Sequence, residues 1–314
     1  MRNFNPLDGR AIQLPSGVFA GVESYGCYQS GELAGVRLSE RNMLVTHAGE
    51  LVPAYTENYR RKNKYSVEFY KNGMVKAAYL DEQQEIMTPI GEFPAELVTF
   101  FDTGELRRFF PLDGKISGFW SEKDERSLAV PFSFELPFAS FSAIISSVCF
   151  YRGGDIRSVT LFPGETVTVS TECGAISARR GFSLHETGEL QSLEPSRPVE
   201  IRTPVGAITA FDPNAVCLNA DSNSLAFAKD GRATALTTVH SRVEARAKDG
   251  RLLAFSPREV VNPLNGESLV TEGLRIAFDY EAGTATFGDA CGQTVLLIGE
   301  HDFAVAKYSG AGPQ

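Results

Sequence analysis

Histidine is scarce in this chain, with four residues in 314, and tryptophan occurs once. So small a stock of imidazole leaves little from which to build a multi-histidine metal centre. Five cysteines (Cys27, Cys149, Cys173, Cys217 and Cys291) lie far apart without a CxxC. That spacing argues against a zinc ribbon or disulfide scaffold and for buried thiols in a reducing compartment. No stretch approaches the ~20 apolar residues of a membrane span. The opening MRNFNPLDGRAIQLPSG carries polar and turn residues where a secretory leader has a continuous apolar run, so a cytoplasmic location is expected. GxSxG, HExxH, Walker and dinucleotide-binding motifs are all missing, and no cofactor or metal is expected. A formal charge of -9 disfavours nucleic acid or anionic membrane as a general partner. Long windows with apolar residues at i, i+3, i+4 and i+7 are also lacking, which predicts little helix.

What the chain has in abundance is strand text punctuated by glycine. Seven segments join an apolar or aromatic strand to a turn ending in Gly, followed by a polar and an apolar residue: CYQSGEL (Gly31), FYKNGMV (Gly73), FFDTGEL (Gly104), FYRGGDI (Gly154), LHETGEL (Gly188), FAKDGRA (Gly231) and DYEAGTA (Gly283). Hairpin turns place a residue at positive φ, where glycine alone avoids a Cβ clash, so each segment reads as a β-hairpin. A second glycine follows at a steady offset: Gly49 lies 18 residues after Gly31, Gly91 18 after Gly73, Gly174 20 after Gly154, Gly206 18 after Gly188 and Gly250 19 after Gly231. In Thr88-Pro89-Ile90-Gly91 and Thr203-Pro204-Val205-Gly206 proline presets φ and glycine closes the turn. The two-turn unit is therefore duplicated along the chain.

Two copies depart from the pattern. After Gly104 the charged corner Ser121 to Arg126 stands where a glycine is expected, and after Gly283 the candidates Gly292 and Gly299 fall at other offsets. Residues 1–19, with turns at Asp8-Gly9 and Ser16-Gly17, read as a capping strand or hairpin. PLDG at 6–9 recurs at 111–114 and, as PLNG, at 263–266, each supplying a turn. The run Leu128 to Ile145 is apolar and lacks the recurring turns, as befits a buried crossover. The expected organisation is an N-terminal lobe at 1–128 with the cap and three copies, a crossover at 129–145, and a C-terminal lobe at 146–314 with four.

Few residues suggest chemistry. The dense basic cluster ENYRRKNK at 57–64 sets Arg60, Arg61, Lys62 and Lys64 between Tyr59 and Tyr65. Such a set can grip an anion or a strand of RNA, or form a solvated loop on an acidic protein, the reading preferred here. Glu300-His301-Asp302 juxtaposes ligand types, but strand neighbours point to opposite faces. His185, with Glu186 and Glu189, reads as a solvated turn. Tyr28, Phe69, Tyr70, Phe100, Phe101, Phe150 and Tyr151 recur before the turns; one of each adjacent pair is expected to fill the core while the other shields the sheet. Trp120 and the cluster Glu122 to Arg126 mark the irregular third copy. No catalytic, cofactor-binding or metal-binding residue is assigned.

The hairpin text FYKNGMVKAAYL and FFDTGELRRFF resembles the MORN-type repeat in its divergent bacterial, antitoxin-like form. The resemblance implies stacked antiparallel hairpins with a non-catalytic binding or scaffolding role. The expected fold is thus all-β, with repeated antiparallel hairpins stacked as a solenoid-like or rolled array, and a seven-bladed β-propeller is the alternative. The expected function is a binding module offering a sheet surface to a protein partner or to its own copy. A carbohydrate-binding protein or carbohydrate-active enzyme is the alternative, which makes a glycan the second candidate partner.

Overall fold

A computed structural model describes residues 5–6, 11–215, 219–262, 266–289 and 292–309. The fold is all-β with mostly antiparallel sheets, and among the described residues one seven-residue α-helix (Glu122–Leu128) accompanies the strands. The chain forms two compact units, one from residues 1–132 and 144–159, the other from 133–143 and 160–314.

In the first unit Val22–Cys27 and Leu33–Leu38 pair around Gly31, Val67–Phe69 and the start of Val75–Thr88 around Gly73, and the end of Gly91–Phe100 with Leu106–Phe110 around Gly104. Neighbouring hairpins pair edge to edge, Leu33–Leu38 with Val67–Phe69 and Leu106–Phe110 with Ala139–Phe150. The second unit follows the same rule. Gly174–Leu184 and Leu190–Pro195 pair around Gly188, Leu225–Phe227 and Ala233–Thr238 around Gly231, and Leu274–Asp279 joins Thr284–Asp289.

The turns at Gly31, Gly73, Gly104, Gly154, Gly188 and Gly231, the first tier, share one bonding pattern. The N–H three residues before the glycine donates to the carbonyl just after it, and the glycine N–H donates back; Tyr70 with Met74 and Gly73 with Tyr70 are an example at 2.8 and 2.9 Å. The glycines sit at positive φ, +80° at Gly73 and +105° at Gly104. The residue four before the glycine is buried in Phe69, Phe100, Phe150 and Phe227, and each such side chain contributes roughly 1.5–3 kcal/mol of burial. The next residue shields the sheet and reaches sideways. Tyr28 Oη donates to Phe69 O at 2.7 Å, Tyr70 Oη to Phe100 O at 2.9 Å, and His185 Nε2 lies 3.0 Å from Phe227 O. His185 thus stands in the aromatic ladder of one hairpin on the next, rather than in a solvated turn.

Between first-tier hairpins the chain turns out into second-tier ones, closed by a Thr-x-x-Gly loop. Thr46, Thr88, Thr171 and Thr203 each accept an N–H two residues on and donate to the glycine carbonyl, at 2.7 to 2.9 Å. Three expectations are corrected. Gly250 closes a turn of the first kind, Ala247 N to Arg251 O and Gly250 N to Ala247 O, because no threonine holds that loop. At Gly283 the turn is held instead by Asp279 Oδ1, which accepts from Glu281 N and Ala282 N. In the third copy the charged corner is the helix, capped by Ser121 and Asp124. The outer hairpin comes later, as Pro131–Leu136 and Ala139–Phe150 with no glycine in its turn. Ile12–Leu14 and Gly17–Phe19 form a hairpin near the start. Asp8-Gly9, Cys217 and Cys291 lie outside the described residues; Cys27 and Cys173 are free thiols, and Cys149 is buried. No helix among the described residues is long and apolar enough to cross a membrane.

Candidate functional site

The basic cluster and the irregular third copy come together. Arg60 and the Arg61 side chain are buried while Glu57, Tyr59, Lys62 and Lys64 are exposed, so the segment 57–64 is only in part the solvated loop expected. A guanidinium taken out of water needs carboxylates, and two reach it. Arg60 Nη1 donates to both oxygens of Glu125 at 2.9 and 3.0 Å, and Nη2 donates to Glu96. Burial alone would pull the Arg60 pKa down, but the Glu96 charge and the bonds to Glu125 and Glu96 hold it above its ordinary value. Glu125 also accepts from Gly114 N at 2.8 Å and Trp120 Nε1 at 2.6 Å, while Glu96 accepts from Asp113 N at 2.7 Å. The short helix exists to aim Glu125 inward, since Glu125 is its buried residue.

PLDG at 111–114 is thereby reassigned. Gly114 is absent from the positive-φ positions, and a Cβ there would lie 1.9 Å from Glu125 Oε2. Glycine is needed for the close approach of the carboxylate, not for a hairpin turn. Trp120, undecided from sequence, holds Glu125 and meets Tyr59 edge-on at 6.0 Å.

Arg61 faces the other way. Its side chain is 7% exposed, and Nη1 and Nη2 donate to the carbonyls of Leu80 (2.8 Å) and Asp81. Its Nε is buried without a hydrogen-bond partner. Arg61 lines a cavity of about 620 Å³ with Arg37, Lys62, Lys64, Tyr59 and Tyr65.

The second unit holds a comparable cavity of about 610 Å³, lined by Glu194, Asp212, Asn223, Ser224 and Arg275. Glu194 is fully buried and accepts from Ser224 N and Oγ, each at 3.0 Å, with Arg179 Nη2 3.7 Å away. Burial pushes its carboxyl pKa up; the Ser224 bonds and the Arg179 charge oppose this only in part. Asn223 Oδ1, also in this lining, is the other buried side-chain atom without a partner among the described residues.

No family model, curated protein or solved structure matches this chain.

The remaining sequence candidates stay apart. Glu300 ends a 3₁₀ turn, and His301 Nδ1 lies 2.9 Å from Leu297 O. No group of three metal-ligating side chains occurs among the described residues. Glu194 and Asn223 were not singled out from sequence, and an isolated Glu among 39 acidic residues carries no signal.

Proposed function

We propose that this protein is a non-catalytic binding or scaffold module that holds a protein partner on the outer hairpins of its first unit. The observation that carries this is two exposed apolar side chains, each paired across strands with a carboxylate. Hairpin Leu44–Thr46/Gly49–Leu51 lies beside the outer half of Val75–Thr88 and Gly91–Phe100, with Met87 N donating to Ala48 O at 3.0 Å. Leu44, Leu51 and Ile86 point inward and are buried, whereas Val45 is 74% and Met87 54% exposed. Glu50 lies opposite Val45 and Glu92 opposite Met87, and residues 43–52 and 82–95 contain no Lys or Arg. A partner segment that is basic and apolar matches such a face, since charge sets approach and apolar contact sets residence.

Hairpins that pair edge to edge within each unit support a stacked, solenoid-like array over propeller blades, which are separate sheets. This agrees with the resemblance to MORN-type repeats. The alternative of a carbohydrate-active enzyme would draw on Glu194 and Asp212, but Glu194 is fully buried and spent on Ser224. The test is affinity capture with the wild type beside Val45→Glu with Met87→Glu, together with a glycan turnover screen. A stoichiometric protein partner lost in the double variant supports the reading. Turnover abolished by one carboxylate substitution overturns it.

A further inference from the structure

The basic cavity of the first unit is not absorbed by a partner-binding role on the outer hairpins. Its lining side chains are four basic, Arg37, Arg61, Lys62 and Lys64, against one acidic, Glu57. This positive enclave stands out on a chain of formal charge -9.

The enclave is built rather than incidental. Two adjacent arginines fix the segment from opposite sides, Arg60 on Glu96 and Glu125, Arg61 on the carbonyls of Leu80 and Asp81. Arg61 N donates to Asn58 O and Asn63 N to Arg61 O, so the loop is closed on itself as well. Tyr65 forms a rigid wall: a Cβ at Gly26 would lie 2.1 Å from its Oη, and one at Gly35 2.7 Å from its ring. Lys62 and Lys64 project from this frame and are exposed, with Lys64 Nζ 4.9 Å from the Tyr65 ring centre. Tyr59, 67% exposed, stands at the rim braced by Trp120.

The Arg61 guanidinium is incompletely answered. Arg61 spends both Nη groups on neutral carbonyls, the nearest oxygen of Glu96 is 3.9 Å away, and its Nε has no acceptor. A buried donor left in that state is destabilising, the more so when charged, and an anion beside the guanidinium relieves it.

We propose that this cavity binds a small ligand of the nucleotide class, its phosphates held by Lys62, Lys64 and Arg61 and its planar ring laid on Tyr59. Charge-assisted bonds from Lys and Arg suit phosphate oxygens, and an exposed tyrosine stacks on a base. The volume of about 620 Å³ lies within the range of small-molecule sites, ~300–1,000 Å³.

Calorimetric titration of the full chain with ATP, AMP, adenosine, inorganic triphosphate and a single-stranded RNA oligomer tests this. ATP is expected to bind saturably and more tightly than AMP, with adenosine weakest and all phosphate-dependent affinity falling with salt. Lys62→Glu with Lys64→Glu should weaken ATP at least ~10-fold, about 1.4 kcal/mol, with the melting temperature unchanged. Tyr59→Ala should weaken ATP but leave inorganic triphosphate unaffected. Absence of saturable ATP binding by natively folded protein overturns the proposal, as does ATP binding that survives the double lysine substitution. RNA that binds more tightly than ATP and displaces it assigns the surface to RNA and equally overturns it. The Val45 and Met87 face lies outside this lining, so failure here leaves the partner reading standing.

Discussion

Glu125 and Glu194 are both buried carboxylates within hydrogen-bond reach of backbone N–H groups, yet their surroundings are opposite in kind. Glu125 has a bidentate guanidinium, an indole and the Gly114 N–H around it, and shares Arg60 with Glu96. Glu194 has a serine and an arginine no nearer than 3.7 Å. In the first case desolvation is met by opposite charge, and the Arg60 guanidinium is held above its ordinary pKa. In the second the Ser224 hydrogen bonds and the more distant Arg179 charge offset burial only in part, and the group is held toward its neutral form. Burial therefore does not itself report a reactive acid; the identity and distance of the cation decide what burial does.

The largest test of this difference removes the cation. Arg60→Ala strands two buried carboxylates, and we expect a loss of about 3–5 kcal/mol in denaturant unfolding at neutral pH. Adding Glu96→Gln and Glu125→Gln to Arg60→Met should recover much of that loss, because the stranded charges are gone. Full stability of Arg60→Ala would mean that the network contributes nothing.

Next in size is Gly114→Ala. The added methyl meets Glu125 Oε2 at 1.9 Å, so either the helix shifts or the ion pair opens, at about 1–3 kcal/mol. An unchanged melting temperature would show that the carboxylate can move freely.

Smallest is Glu194→Gln, expected within about 1 kcal/mol of the wild type at neutral pH. Its sign depends on pH. A carboxyl whose folded pKa is raised contributes stability that is fully present below the unfolded value, about 4.5, and is lost as pH rises through the folded value. Glutamine does not titrate, so the variant should gain on the wild type as pH increases from about 4 upward. A constant difference across that range would contradict the raised pKa.

How much of this was legible follows from the range of the forces involved. First-tier turns could be read because positive φ is a local demand that glycine meets within four residues. The second tier was half visible: Thr46, Thr88, Thr171 and Thr203 each stand three residues before a glycine, and that spacing would have separated Gly250 from the others. The helix offered Ser121 and Asp124 as a cap, but no apolar period followed to announce it. Arg60 and Glu125 are 65 residues apart, and no local pattern joins them. Composition therefore made the cluster at 57–64 look solvated while tertiary packing buried half of its charge.

The sideways bonds of Tyr28 and Tyr70 act as a ruler. The reach of one phenol from its own strand to the next hairpin's carbonyl is set by covalent geometry, so it fixes the lateral pitch whatever the intervening chain does. First glycines are separated by 31 residues between Gly73 and Gly104 but by 42 between Gly31 and Gly73, yet both pairs are spanned by the same phenol-to-carbonyl contact, at 2.9 and 2.7 Å. Length can thus be gained or lost in the outer hairpins without changing the spacing of the inner ones. The outer tier is free to diverge in sequence and surface while the inner tier stays in step.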